Sequence, residues 1–344
     1  MKIAIANDVP MAAEALRRVI AATAEHQVLW IARTGGEALR MCHDKRPDLI
    51  LMDLNMPELD GVEATRRIMD ECPCAILIVT GRPQDNVNQV FRALGAGALD
   101  VTATPMLQGQ QDGAAALLAK IHTIEKLVRH SGGSQAMQPR GATAPAERPE
   151  EAIHTLVAIG ASTGGPAAIA QILAGWRAPR GCAVVVVQHI DENFADNFSK
   201  WLGEQLAMPV RSIEQRDELL SGTVLIAKSN DHLLLDEKLR LVYDANPKDY
   251  AYRPSVDVFF QCIARHWRGT AFGVLLTGMG RDGAEGLLAM RRAGMHTVAQ
   301  DQASSAVYGM PRAAAELGAA QLILPLGKIG PFLRSTVGNG NHGA

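Results

Sequence analysis

Short apolar runs separated by amphipathic stretches recur along most of this chain. In the first third, strand-like runs fall at Lys2–Ala6, Gln27–Ala32, Asp48–Met52, Ala75–Thr80 and Ala98–Thr102. Helical patterns fill the gaps, among them Met11–Ala24 and Gly61–Glu71. Five strand–helix units with short connections predict a parallel sheet covered on both faces. The rhythm stops at Arg129 and resumes near Ala152, with runs at Leu156–Gly160, Ala183–Gln188, Thr223–Ala227, Gly273–Thr277, Thr297–Gln300 and Leu322–Leu324. A helical pattern covers Asp282–Ala293, and His232–Leu235 with Leu239–Tyr243 read as a hairpin turning at Asp236-Glu237-Lys238.

These patterns predict an α/β chain of two doubly wound parallel-sheet domains. One, flavodoxin-like, spans residues 1–128, and the other, Rossmann-like, spans 152–344. Residues 129–151, rich in Gly, Ser, Gln, Pro and Ala, read as a flexible linker. A length of 344 residues also favours two domains over one core. With 34 Lys plus Arg against 36 Asp plus Glu, the chain has no bulk attraction for nucleic acid or anionic membrane. No apolar run is long enough to insert in a bilayer, and the N-terminal run breaks at Asn7-Asp8, too soon for a signal-peptide core, so the expected location is the cytoplasm. Of five cysteines, Cys72-Pro-Cys74 has metal-like spacing, but no second pair completes a site, and buried reduced thiols are the expectation.

In the front domain, Asp8 follows the first strand and Asp53 the third, at the switch point of a flavodoxin-like sheet. Two carboxylates there can hold Mg²⁺, and one can accept a phosphoryl group; alternatively each caps the segment that follows. In the rear domain, Gly160-Ala161-Ser162-Thr163-Gly164-Gly165 ends an apolar run and fits the G-x-S-x-G turn that exposes a nucleophile. The same segment also suits a phosphate cradle, or an N-cap role for Ser162 at the helix near Pro166. His189 follows a buried run, as does Asp282, which could otherwise cap its own helix. Asp257 and Asp191 are rival acids: the first lies in a helix starting near Ser255, the second too close to His189 in sequence to orient its ring. Serine, base and acid at strand ends suit acyl transfer, yet the chain order Ser, His, Asp matches none of the α/β-hydrolase, chymotrypsin-like or subtilisin-like orders.

Longer strings carry a specific resemblance. Asp48-Leu-Ile-Leu-Met-Asp53-Leu-Asn-Met-Pro57 with Asp60-Gly61 resembles the phosphoacceptor strand of response-regulator receiver domains. That resemblance implies Asp53 as phosphoacceptor, Asp8, Asp53 and the Asn55 carbonyl as Mg²⁺ ligands, and Thr80 as the switch hydroxyl. Two positions depart from the pattern: Asn7 stands where a second acid is usual, and Thr104 stands where lysine is expected. The missing point charge should weaken coupling between phosphorylation and switching.

Ile159-Gly-Ala-Ser-Thr-Gly-Gly-Pro166, Val187-Gln-His-Ile190, Tyr252-Arg-Pro-Ser-Val-Asp257, Leu276-Thr-Gly-Met-Gly-Arg-Asp-Gly-Ala284 and Ala299-Gln-Asp-Gln-Ala-Ser304 resemble the chemotaxis protein-glutamate methylesterases, the CheB family. The front domain, with Val9-Pro10-Met11 and the missing lysine, is more similar to the Wsp-type branch, whose members serve surface sensing or biofilm pathways. The resemblance implies Ser162 as nucleophile, His189 as base, Asp282 as its orienting acid, and backbone N–H groups at His189 and Met279 as the oxyanion hole. It implies hydrolysis of glutamyl methyl esters, and deamidation of glutamine, on the cytoplasmic domain of a methyl-accepting chemoreceptor. No cofactor serves the hydrolysis; Mg²⁺ serves phosphorylation by a CheA-type histidine kinase, with the front domain gating the rear one. Lys228-Ser229 and Asp191 depart from the family's loops and bear on substrate preference. Two rivals stay open: a phosphorylation-dependent binding protein on a dead hydrolase fold, and a small-molecule serine esterase.

Overall fold

The computed structural model describes residues 1–81, 87–105, 111–128, 152–190, 192–248, 250 and 252–337. The expected linker, 129–151, and Asp191 lie outside them. The chain divides into two compact units, Met1–Met137 and Gln138–Ala344.

The first unit alternates β1 (Lys2–Ala6), α1 (Pro10–Ala21), β2 (Gln27–Ala32), α2 (Gly35–Asp44), β3 (Leu49–Met52), α3 (Gly61–Glu71), β4 (Ala75–Thr80), α4 (Val87–Gly95), β5 (Asp100–Ala103) and α5 (Gln111–Val128). Its strands form one parallel sheet in the order β2-β1-β3-β4-β5. Leu49–Met52 is buried throughout, as a strand covered on both faces must be. Helices α2 and α3 start on Thr34 and Asp60, whose side chains accept from Glu37 N–H and Glu63 N–H. Ile3, Ile5, Leu49, Leu51 and Leu77 pack against Leu16, Ile20, Leu117 and Ile121 in its core.

The second unit contains β6 (Thr155–Ala161), α6 (Gly165–Leu173), β7 (Cys182–Gln188), α7 (Glu192–Gln205), β8 (Val210–Ser212), β9 (Val224–Ile226), β10 (His232–Leu235) and β11 (Leu241–Asp244). It continues through α8 (Val256–His266), β12 (Thr270–Leu275), α9 (Ala284–Arg292), β13 (His296–Gln300), α10 (Met310–Glu316), β14 (Leu322–Leu324) and α11 (Leu326–Val337). Seven strands form a parallel sheet, β14-β13-β12-β6-β7-β9-β8, and β10 pairs antiparallel with β11 as expected. The chain winds from β6 outward through β7, then returns to place β12 on the other side of β6. The order therefore reverses at the carboxyl ends of β6 and β12, where a crevice forms in such sheets.

Several boundaries differ from expectation, and one strand was not expected. The first helix runs Pro10–Ala21, because Pro10 supplies the fixed φ of a first helical position. β12 ends at Leu275, because Leu276 and Thr277 leave the strand ladder while keeping their apolar surroundings. β8 has no counterpart among the predicted runs; it is three half-buried residues paired to β9.

Candidate active site

Ser162 sits one residue beyond β6. Its N–H donates to Thr277 O at 3.0 Å, tying the serine to the loop after β12. The turn needs glycine: Gly164 has φ +76°, and a Cβ there would lie 2.5 Å from Ala306 Cβ. Gly164, not Ser162, is the N-cap of α6, so the serine hydroxyl is not spent on capping. A Cβ on Gly278 would come within 2.7 Å of Ser162 Cβ and 3.1 Å of Ser162 N, so the 278–280 loop lies directly against the serine. Thr277 Oγ1 holds the two loops together, donating to Thr163 O at 2.9 Å and accepting from Val307 N–H at 2.8 Å.

His189 follows β7, the strand paired with β6. Its Nε2–H donates to Asp282 Oδ2 at 2.7 Å. Nδ1, the other nitrogen, is buried and has no hydrogen-bond partner among the described residues. The imidazole thus bridges from the β7 end toward the loop after β12, and its bond to a carboxylate puts the proton on Nε2 and leaves a lone pair on Nδ1.

Asp282 is buried among donors. Oδ1 accepts from Ser255 Oγ at 2.7 Å and Asp257 N–H at 3.1 Å, and Oδ2 accepts from Val256 N–H at 2.7 Å besides His189. It therefore caps the start of α8; the helix it precedes, α9, starts on Gly283 with no side-chain cap. Burial alone would raise its pKa, but the hydrogen bond and charge of His189, with Ser255 and Val256, outweigh that and hold the carboxyl below its ordinary range. Asp257, the rival acid, points instead at the start of α9, accepting from Gly286 N–H at 2.6 Å. Burial and the neighbouring Asp282 charge, resisted by the Gly286 and Gly283 N–H groups, push Asp257 up to about 6. The two aspartates cap each other's helices, which fixes where Asp282 sits.

One expected role is corrected. The His189 N–H donates to Ala161 O at 3.0 Å, continuing the strand ladder, so it is not free to face an oxyanion. The Met279 N–H makes no hydrogen bond among the described residues and belongs to the loop against Ser162. Three residues had no assigned role in the sequence reading. Gln188, 3% exposed, donates from Nε2 to Ser162 O at 2.8 Å and His189 O at 3.2 Å, bracing the two strand ends. Ser255 donates to Asp282, and Tyr252 stacks on His189; their signal was present only as a quoted string, without a partner. Lys228 N–H donates to Tyr243 Oη at 2.7 Å, and Nζ pairs with Asp196 and Glu214 at 3.0 and 3.1 Å.

In the first unit, Asp53 lies beyond β3 with its carboxylate 8% exposed. Leu54 N–H donates to Oδ1 at 2.7 Å, and Asn7 Nδ2 donates to Oδ2 at 3.2 Å. Burial pushes Asp53 up to about 6, against the pull of the Leu54 and Asn55 N–H groups and with the help of the Asp8 charge. Asp8 Oδ1 is buried without a partner. A buried unsatisfied carboxylate oxygen beside a second carboxylate suits a hard divalent cation. Thr80 is buried at the end of β4, and Thr104 N–H donates to Thr80 O at 3.0 Å. Lys120, on α5, is committed to Asp100 at 2.8 Å and Val101 O at 2.7 Å, so it does not replace the lysine absent at Thr104.

The chain is similar to known proteins. Residues 157–333 match the family described as CheB methylesterase, and residues 3–124 match the response regulator receiver domain. Protein-glutamate methylesterase/protein-glutamine glutaminase 2 of Cupriavidus metallidurans is 53% identical over 344 residues, covering 99% of this chain and 100% of that relative. Protein-glutamate methylesterase/protein-glutamine glutaminase 3 of Pseudomonas aeruginosa is 50% identical over 337 residues, covering 97% and 98%. The crystal structure of the Thermotoga maritima CheB methylesterase catalytic domain superposes with a TM-score of 0.50 at 31% identity, covering 52% of this chain and 97% of that one.

Proposed function

The chain belongs to the CheB family of receiver-bearing protein-glutamate methylesterases and protein-glutamine glutaminases, and from that premise we propose how its own residues perform the hydrolysis. The carrying observation is His189: its Nε2 is held by Asp282, its Nδ1 is buried without a partner among the described residues, and its N–H is bonded to Ala161, the residue before Ser162. Nδ1 takes the Ser162 proton as Oγ attacks the glutamyl ester carbonyl. The Met279 N–H faces the developing oxyanion, a contribution of about 10²–10³. The tetrahedral intermediate collapses, Nδ1–H protonates the departing methoxide, and methanol leaves a glutamyl ester on Ser162. Nδ1 then takes a proton from water, whose oxygen attacks the acyl carbon, and returns it to Ser162 as glutamate is freed. A glutamine substrate follows the same course with ammonia as leaving group. Asp282 stabilises the imidazolium throughout and stays ionised, consistent with its lowered pKa.

The substrate is the helical cytoplasmic part of a chemoreceptor, and a CheA-type kinase supplies the phosphoryl group to Asp53. No helix among the described residues is long and apolar enough to cross a membrane, which fits action on the cytoplasmic side of such a receptor. Asp8, Asp53 and the Asn55 carbonyl would hold Mg²⁺, which supplies charge neutralisation for phosphoryl transfer. Phosphorylation relieves an inhibitory action of the receiver, so a chain lacking residues 1–150 releases methanol faster than the intact chain. The deciding experiment is methanol release from a methylated receptor fragment by wild type and Ser162→Ala. Loss in the variant supports the reading; equal release refutes it.

A further inference from the structure

The face of the catalytic imidazole is covered. Tyr252 lies over His189 with ring centroids 4.3 Å apart and planes inclined by 7°, a parallel stack. Of the two in-plane nitrogens of His189 only Nε2 is bonded among the described residues, to Asp282, and one strong in-plane bond still lets a ring pivot. A flat neighbour at stacking distance blocks the rotation that would swing Nδ1 away from β6.

Tyr252 is itself held in place. It lies between Pro247 and Ser255, and one buried side chain fastens both of these. His232, 0% exposed, accepts from Ser255 N–H at Nδ1 (3.2 Å) and donates from Nε2 to Pro247 O (2.9 Å). A backbone N–H can only donate, so His232 must be the neutral Nε2–H tautomer. Ser255 in turn donates to Asp282. The same short stretch therefore grips the acid through Ser255 and the base through Tyr252. On its far side, the Tyr252 hydroxyl approaches Gly280: a Cβ built there would lie 3.5 Å from Oη. That contact puts the tyrosine against the loop that carries the Met279 N–H.

We propose that Tyr252 is a positioning residue for the hydrolysis: its ring locks the rotation of the His189 imidazole so that Nδ1 stays directed at Ser162. The inference rests on the hydrolase reading of Ser162, His189 and Asp282. The stack, not the hydroxyl, carries the effect, because Oη makes no hydrogen bond among the described residues. Misplacing a reacting group by about 1 Å can cost about 10²-fold in rate, which bounds the effect.

The test uses the full-length chain, a methylated receptor fragment and methanol release, with Tyr252→Phe, Tyr252→Ala and Ser162→Ala. Tyr252→Phe should keep kcat within about threefold of wild type. Tyr252→Ala should lower kcat by about 10- to 100-fold with KM little changed, since ring order acts in the chemical step. In histidine-labelled protein, the His189 ring proton resonances should lose their ring-current shift in Tyr252→Ala and keep it in Tyr252→Phe. Unchanged kcat in Tyr252→Ala, or an equal loss in Tyr252→Phe, overturns the proposal. A change confined to KM assigns Tyr252 to substrate binding and also overturns it. If wild type releases no methanol beyond Ser162→Ala, the hydrolase reading itself fails and this inference falls with it.

Discussion

Replacing Ser255 with alanine removes one hydroxyl that does two jobs. Its Oγ donates to Asp282 Oδ1 at 2.7 Å and accepts from Val258 N–H at 3.3 Å as the N-cap of α8. The site is fully buried, so no water replaces either bond. A hydrogen bond to a charged group contributes about 1.5–3 kcal/mol, and a lost N-cap costs about 1 kcal/mol. The variant should therefore be destabilised by about 2–4 kcal/mol at neutral pH. Asp282 is held below its ordinary range, so it contributes stability that is present above about pH 4 and lost as pH falls. Without Ser255 that contribution shrinks, and the wild-type and variant unfolding free energies should converge in acid.

Activity should fall less steeply. Asp282 is held below its ordinary range by His189 and Val256 as well as by Ser255, so losing the one hydroxyl leaves it ionised at pH 7. The loss comes from a looser carboxylate, still held by Val256 and Asp257 N–H groups, and should be about 3- to 30-fold in kcat. Removing the charge with Asp282→Asn should cost about 10⁴-fold. Urea unfolding at pH 7 and at about pH 2, with methanol-release kinetics at pH 7, measures both effects. A Ser255→Ala variant with wild-type stability and kcat would refute the claim that this hydroxyl seats the acid, and Ser255→Thr should restore most of both.

Three further perturbations have clear directions. Asp257→Asn keeps an acceptor for Gly286 N–H but cannot ionise. Because burial raises the Asp257 pKa to about 6, wild type loses stability as pH rises from about 4 through 6 and the variant does not, so at pH 7 the variant should be more stable by about 1–3 kcal/mol in urea unfolding. Gly278→Ala places a Cβ 2.7 Å from Ser162 Cβ and 3.1 Å from Ser162 N, so kcat should drop by about 10²-fold at a stability cost of about 1–3 kcal/mol, read from kinetics and a thermal melt. Asn7→Asp exchanges an amide that donates to Asp53 for a third carboxylate, so Mg²⁺ affinity measured by calorimetry should rise about tenfold or more; unchanged affinity would remove Asn7 from the cation site.

Much of the fold was legible because buried parallel strands advertise themselves. The bounds of β1, β2 and β4 match the apolar runs residue for residue; β1 and β4 are covered on both faces, and the edge strand β2 is apolar from Val28 to Ala32. β8 was not legible: Val210-Arg-Ser212 lies at the sheet edge, half-buried, with no run to mark it. Ser162, His189 and Asp282 could be placed at strand ends by the same logic. Their partners could not, because those contacts are distant in sequence. The local guess gave Asp282 to the helix after it, whereas its acceptor oxygens are taken by Ser255, Val256 and Asp257, more than twenty residues upstream. The His189 N–H was misassigned for a related reason. A residue just past a strand still belongs to the ladder, and its N–H is spent on Ala161 before any substrate arrives.

The chain order Ser, His, Asp follows from the winding of the sheet. β6 is first in sequence and lies between β7 and β12. On the proposed reading the nucleophile therefore occupies the middle strand end, the base comes from the neighbour wound next, and the acid comes from beyond the first strand placed on the opposite side, β12. An imidazole on β7 can meet an acid beyond β12 only by extending across the end of β6, above Ser162. On the proposed reading, that crossing directs Nε2 to Asp282, as observed, and leaves Nδ1 for the serine of the middle strand end. It also makes the imidazole a long span with support at its ends and none beneath. Gln188 braces the β6 and β7 ends below it, and Tyr252 covers it from above. A sheet wound in this order therefore requires face-on support for its base more than one in which serine and acid flank the histidine strand, and the 252–255 stretch supplies it.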